Sequence, residues 1–208
     1  MGRTRANSVA RTVSAPGAVP LHYQYEKASV SPVFVRYDDT PIPQTSAIWV
    51  SQRKPSSGDY QKDRAYYLQW GPDSAYAVEL GFEAQLFFTA ELTGCGIIVL
   101  SGAGKTVLVH HNIQVTPPGP TFFQNLFESN AKKMVREAAA VGRARTDSLY
   151  LMLQNIVAST PGLTSGKMLG VQQYGGTARF FGMKRGGSWR FYVNRPGSDG
   201  YTTQEIFG

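Results

Sequence analysis

LFFTAELTGCGIIVLSGAGKTVLVHH, residues 86–111, holds two apolar runs around a short segment rich in glycine. Residues 97–100 and 106–109 are rich in β-branched side chains, which predicts two strands. Residues 101–105, SGAGK, have the composition of a tight turn. This part of the chain therefore predicts an antiparallel β-hairpin.

A lone cysteine precedes this hairpin, and two histidines end its second strand. Cys95 is the only cysteine of the chain, and His110 and His111 follow the second apolar run. A turn centred on Gly102 and Ala103 pairs Cys95 with His110, whereas a later register pairs it with His111. Because strand side chains alternate between faces, the register determines which imidazole meets the thiol. We predict His110, with His111 as the alternative.

A thiol and an imidazole on one face of a hairpin are the minimum for nucleophilic attack on a carbonyl or carboxamide. The cysteine supplies the nucleophile, and the histidine takes up and returns the proton. The competing interpretation is a small buried cysteine with a structural role, beside histidines at a polar strand end. The predicted proximity across the hairpin gives the two interpretations comparable weight.

Two short motifs before and at the cysteine carry a resemblance to a known family. LFFT at residues 86–89 and LTGC at residues 92–95 closely resemble the core of Burkholderia lethal factor, which has a Leu-Phe-Phe-Thr run, two variable residues and Leu-Ser-Gly-Cys. The wider group of glutamine deamidase toxins includes the catalytic domains of cytotoxic necrotizing factors, which have a Gly-Cys followed one hairpin later by a histidine. The close match covers residues 86–95, and Thr93 stands where serine is usual.

The resemblance implies roles for individual residues. Cys95 would be the nucleophile, His110 the general acid and base, and Thr89 the side chain that orients the imidazole. The backbone N–H of Cys95 would stabilise the oxyanion, and Gly94 would allow close approach. The implied activity is that of a protein-glutamine glutaminase, which converts a glutamine of a host protein to glutamate, with transglutamination as a side activity. No cofactor and no metal are implied.

The resemblance also implies a biological setting. The protein would be a toxin or virulence effector, secreted from a bacterium and active in the host cytosol. Its substrate would be a host protein, either a Rho-family GTPase, as for the necrotizing factors, or a translation-initiation helicase, as for the lethal factor. We expect a monomer with no small-molecule cofactor.

Two other function classes stay open. One is a cysteine protease or acyltransferase that uses the same thiol, because the dyad alone does not distinguish side-chain amides from peptide bonds. The other is a non-enzymatic basic binding module. Aromatic side chains of such a module could stack on bases; the candidates are Tyr60, Tyr66, Tyr67, Trp70 and Tyr76. Their spacing along strands is more typical of core or rim positions.

The composition limits these classes further. The chain has 208 residues, 42% of them hydrophobic, which suits one domain with a real core. Its net charge is +7, which favours an acidic protein partner over nucleic acid in this context. We predict no membrane span, because no apolar run approaches the roughly 20 residues that a bilayer requires.

The order of elements predicts an α+β fold with a largely antiparallel sheet or sandwich flanked by two or more helices. Residues 1–20 predict a disordered segment, which could serve as a secretion signal, and residues 21–208 a single catalytic domain. Further strands are predicted at residues 33–37, 47–51, 64–70, 76–80, 84–89, 178–183 and 188–193.

The helices are predicted by an apolar repeat of 3.6 residues in the second half of the chain. Residues 121–138 predict the first helix, with Thr121 as its N-cap. Thr146 or Asp147 would cap the second helix, and Pro161-Gly162 would end it.

Overall fold

Two β-sheets pack face to face, and a helix covers the outer face of one of them. The computed structural model describes residues 8–13, 21–27, 30–38, 47–51, 56, 60–72, 74–112, 144–198 and 200–208. Within these residues the chain forms thirteen strands and two helices. The sequence prediction of an α+β fold with largely antiparallel sheets is confirmed at this level.

The strands and helices are numbered in chain order. The strands are β1 (Ser8–Val13), β2 (Leu21–Lys27), β3 (Val30–Asp38), β4 (Ala47–Ser51), β5 (Gln61–Leu68), β6 (Ser74–Leu80), β7 (Leu86–Thr89), β8 (Gly96–Gly102), β9 (Lys105–His111), β10 (Ser165–Leu169), β11 (Arg179–Arg185), β12 (Ser188–Gly197) and β13 (Gly200–Phe207). The helices are α1 (Ala144–Ser159) and α2 (Val171–Tyr174).

One sheet has six strands in the order β1-β2-β6-β9-β8-β10, and the other has seven in the order β13-β12-β11-β7-β5-β3-β4. Neighbouring strands are antiparallel except for two pairs. These parallel pairs are β2 with β6 and β5 with β7, one in each sheet. The β8–β9 hairpin lies inside the six-stranded sheet, between β6 and β10.

Strand β8 is apolar on both faces because both faces are covered. Ile97 and Val99 pack in the core between the two sheets, while Ile98 and Leu100 pack in a second core beneath α1. A strand that is buried on both sides appears in the sequence as a continuous apolar run rather than an alternating one. The position of the hairpin in the middle of the molecule follows from this pattern.

The two cores differ in composition. The core between the sheets is aromatic, and the rings of Phe180 and Phe191 stack at 5.6 Å with Phe87 edge-on to both. The core beneath α1 is aliphatic. The helix contributes Leu149, Met152, Leu153 and Ile156 to it, at the spacing of one helix face.

Some boundaries differ from the predicted ones. The sequence predicts disorder for residues 1–20, but Ser8–Val13 forms strand β1. The backbone N–H and C=O groups of β1 pair with β2. A pairing between two strands leaves no signal in the local sequence of either one. Helix α1 begins at Ala144, ahead of the predicted caps Thr146 and Asp147. The helix predicted over residues 121–138 lies outside the described residues.

Besides β1, four elements were not predicted from the sequence: β2, β10, α2 and β13. Strand β5 ends at Leu68 rather than at residue 70, which leaves Trp70 in the segment that follows the strand. In the described part of the chain, no helix is long and apolar enough to cross a membrane.

Candidate active site

Polar side chains meet at one end of the sandwich, where strands of both sheets end or begin. The parallel strands β5 and β7 end side by side at Leu68 and Thr89. In the facing sheet, β8 begins at Gly96 opposite His111, the last residue of β9. The sheet order therefore brings the thiol, the imidazoles and the Thr89 hydroxyl to the same end.

The register of the hairpin differs from both predicted alternatives. Gly102 pairs with Lys105, so the turn residues are Ala103 and Gly104. Both have positive φ, 48° and 75°, the geometry of a type I′ turn, which matches the twist of the strands. Neither predicted pairing of Cys95 with a histidine forms. The side chain opposite Cys95 belongs to the residue after β9.

That residue is Asn112, whose Oδ1 lies 3.6 Å from the Cys95 sulfur. The observed register thus differs from the predicted pairing with His110 by two residues. A shift of two residues leaves every side chain on its original face, whereas a shift of one would reverse it. The predicted choice of face consequently survives the error in register.

The two histidines lie on opposite faces of β9. Cys95 belongs to the core between the sheets, and His110 contacts Thr89 of the seven-stranded sheet on that same side. The His111 ring lies on the face toward α1, where a Cβ added to Gly96 would collide with it. His110 is therefore the diagonal neighbour of Cys95 on its own face, within reach of a ring.

The Thr89 hydroxyl determines the tautomer of His110. Thr89 Oγ1 lies 3.0 Å from the carbonyl oxygen of Leu68 and 2.7 Å from His110 Nδ1. A carbonyl only accepts, so the single hydroxyl proton is donated to Leu68 and the Thr89 oxygen accepts the Nδ1–H of His110. The lone pair of the neutral imidazole is then on Nε2, which makes no hydrogen bond to any described residue.

His110 is neutral at physiological pH. Burial, together with repulsion from His111, lowers the pKa of His110 from its ordinary value of 6.5 to about 3. Burial disfavours the imidazolium because a charge loses its hydration. The closed site consequently holds an imidazole whose free nitrogen is an acceptor, not a preformed thiolate–imidazolium pair.

The Cys95 sulfur has a second polar neighbour, the indole of Trp70. Trp70 Nε1 donates to Cys95 Sγ at 3.0 Å. The cysteine is only 1% exposed, while Trp70 is 44% exposed. Trp70 thus places a partly exposed ring against the buried sulfur.

The backbone around the cysteine is held by Tyr174 of α2. The Tyr174 hydroxyl accepts the Gly94 N–H at 2.9 Å and donates to the Cys95 carbonyl oxygen at 2.8 Å. Burial raises the pKa of Tyr174, which keeps that hydroxyl protonated. Gly94 has a φ of 103°, a conformation that glycine adopts without a steric penalty. This clamp fixes the turn that presents the sulfur.

Comparison with protein-family models and with curated proteins finds no match to this chain.

The described residues offer no site for a metal. They contain no group of three or more His, Cys, Asp and Glu side chains that could hold an ion. A cavity of about 380 Å³ lies at the other end of the sandwich, around the hairpin turn, with Lys105, Lys167 and Trp189 in its wall. It is remote from the thiol, so it forms no part of the candidate active site.

Of the side chains that the sequence predicted, the structure joins Thr89 to His110 by a hydrogen bond, and Cys95, preceded by Gly94, lies in the core between the sheets, on the same face of the hairpin as His110. Three further contributors were missed. Trp70 was assigned to core or rim by its strand spacing, and Asn112 and Tyr174 were not singled out. The one available signal was the position of Trp70 as the last residue of a predicted strand, at the end where that strand meets the site.

Proposed function

We propose that this protein is a protein-glutamine deamidase that acts through Cys95 and His110 and shares the fold of the necrotizing-factor catalytic domains. The observation that carries the proposal is the hydrogen bond from His110 Nδ1–H to Thr89, which leaves Nε2 as a buried acceptor on the face of the thiol. An oriented base beside a nucleophile is the arrangement that covalent catalysis requires.

The reaction begins with transfer of the thiol proton from Cys95 to His110 Nε2 as the sulfur attacks the carboxamide carbon of a glutamine. The carbonyl oxygen becomes an oxyanion, which the backbone N–H of Cys95 stabilises. When the tetrahedral intermediate collapses, the C–N bond breaks and the imidazolium gives its proton to the departing ammonia. A thioester to Cys95 remains.

Hydrolysis reverses the proton path. His110 Nε2 takes a proton from water as the water attacks the thioester carbon, and the imidazolium then returns it to the Cys95 sulfur as the C–S bond breaks. The products are glutamate and the free thiol. Neither a metal nor a cofactor is needed. An amine in place of water would give transglutamination.

The neutral state of His110 suits this sequence. An imidazole with a pKa of about 3 is a weak base while the site is closed. Negative charge that develops on the neighbouring sulfur offsets the loss of hydration and favours the imidazolium. Proton transfer is thereby coupled to attack on the substrate.

The proposed substrate is a protein of a host cell, in the class of Rho-family GTPases or translation-initiation helicases. Conversion of a catalytic glutamine to glutamate replaces an N–H donor with a negative charge. A single modification then inactivates or locks each target molecule. We propose that the protein is a secreted bacterial effector that acts as a monomer in the host cytosol. One modification per target molecule suits an effector that is present in few copies. A reducing compartment such as the cytosol also keeps the single thiol free.

The test measures ammonia release and intact mass for purified GTPases and translation helicases incubated with the wild type or with Cys95→Ser. We expect a mass gain of about one dalton at one glutamine with the wild type alone. The serine variant retains the shape of the site but has a far weaker nucleophile. Cleavage of a peptide bond that depends on Cys95 would instead identify a protease and overturn the proposal.

A further inference from the structure

The contact between Trp70 and the Cys95 sulfur is closer than packing requires. Sulfur is larger than oxygen, yet Nε1 and Sγ lie only 3.0 Å apart. Trp70 is 44% exposed, yet its N–H points to a buried sulfur. An indole N–H can donate but never accept, and a neutral thiol is a weak acceptor. Its direction toward sulfur therefore calls for an explanation beyond burial.

We propose that the indole N–H of Trp70 stabilises the negative charge of the Cys95 sulfur after the thiol loses its proton. A hydrogen bond to an ionised acceptor is roughly twice as strong as one between neutral groups. The contact that exists in the resting state therefore strengthens as charge develops. Trp70 is a catalytic residue in this scheme, since it touches the reacting atom.

The surroundings of the sulfur make such a donor necessary. Cys95 is 1% exposed and lies in an apolar core, where an unpartnered thiolate would be costly. Asn112 presents Oδ1 to the sulfur at 3.6 Å, and an oxygen acceptor suits the S–H group but repels a thiolate. The Trp70 N–H is thus the side-chain donor that already faces the sulfur among the described residues.

Asn112 complements this arrangement. Rotation of its amide by half a turn replaces Oδ1 with an NH₂ group, which can donate to a thiolate. The same side chain can thus accept from the thiol and donate to the thiolate. The Trp70 indole can only donate. Its replacement therefore isolates the effect of a hydrogen-bond donor on the negative charge of the Cys95 sulfur.

The test is the pH dependence of alkylation by iodoacetamide, followed by intact mass. Because Cys95 is the only cysteine, every added group reports on this sulfur. Trp70→Phe keeps an aromatic cover but removes the N–H. We expect its pH midpoint to rise by about one pH unit and its rate at pH 7 to fall about tenfold. The matched control is Trp189→Phe at the far cavity, whose midpoint should equal that of the wild type.

An unchanged midpoint in Trp70→Phe would overturn the proposal, even if the plateau rate changed. The plateau responds to access of the reagent, whereas the midpoint responds to the relative stability of thiol and thiolate.

In turnover, this role of Trp70 rests on the proposed function, but alkylation needs no protein substrate. If the wild type released no ammonia from any glutamine, deamidation would fail, and the alkylation midpoint would still decide whether Trp70 stabilises the thiolate.

Discussion

Thr89 has one hydroxyl proton, and two neighbouring groups lie within reach of its oxygen. Donation to the Leu68 carbonyl leaves the oxygen to accept from His110. The orientation of the catalytic base is thereby anchored to the backbone of strand β5. Only serine or threonine offers both a donor and an acceptor in so small a side chain.

Thr89→Val should therefore separate shape from hydrogen bonding. The valine fills the same volume but leaves Nδ1–H of His110 buried without an acceptor. We expect the free energy of unfolding to fall by about 1–3 kcal/mol and kcat/KM for glutamine deamidation to fall about 100-fold. Urea unfolding and ammonia release measure the two effects.

Thr89→Ser is the control for this substitution, because it restores the hydroxyl and should recover most of the activity. Full activity in the valine variant would mean that the imidazole does not depend on this hydrogen bond.

At the scale of elements, the short helix α2 reaches across the molecule to hold the cysteine turn. Tyr174 and Cys95 are 79 positions apart in the chain, yet one hydroxyl satisfies a donor and an acceptor on either side of the sulfur-bearing residue. Such a contact joins a local turn to a distant element, so the position of the nucleophile depends on the complete fold.

Tyr174→Phe should expose this dependence. Loss of the hydroxyl leaves the Gly94 N–H and the Cys95 carbonyl without this partner, and we expect stability to fall by about 1–3 kcal/mol. Deamidation should also slow, because the turn at Gly94 is no longer fixed. Tyr201→Phe, at an exposed tyrosine of β13, should change neither quantity when both variants are compared by urea unfolding and ammonia release.

The elements also show where sequence reasoning succeeds. The hairpin was predictable because its strands and turn are adjacent in the chain, and Cys95 and His110 could be placed on one face from alternation alone. The exact register was not, since Ala103 occupies a left-handed conformation that glycine would be expected to take. A register shift of two residues leaves each side chain on the same face, so the alternation of side chains does not reveal it.

At the scale of the whole molecule, the residues missed by the sequence are those that reach the sulfur from other elements. Trp70 lies beside the Cys95 sulfur because β5, which precedes it, pairs in parallel with β7. Tyr174 lies beside the cysteine turn because α2 follows β10, the edge strand of the six-stranded sheet. Contacts between distant segments leave no periodic signal. The α+β class was predictable from the run of strands and helices, whereas the two parallel pairs were not.

Burial of His110 links the stability of the whole protein to pH. Its folded-state pKa of about 3 lies below the ordinary value of 6.5, so between these values the unfolded chain binds a proton that the folded protein does not. The stability contributed by neutral His110 is complete above pH 6.5. It is lost by about 1.4 kcal/mol for each pH unit as the pH falls toward 3.

His110→Gln should therefore show a shallower loss of stability than the wild type between pH 6.5 and 3. Urea unfolding at several pH values measures the difference between the two proteins. His111 and the carboxylates are present in both, so their contributions cancel to a first approximation. Parallel curves would show that His110 is charged in the folded protein or titrates normally.

The Trp70 indole beside the Cys95 sulfur also affects how readily the protein is oxidised before it meets a substrate. Thiolates, not thiols, react with peroxide, and oxidation beyond the sulfenic acid is irreversible. A thiol that is 1% exposed and lies against an aromatic ring lacks the solvent access that rapid oxidation requires. The molecule can accordingly pass through aerated surroundings with its single sulfur intact.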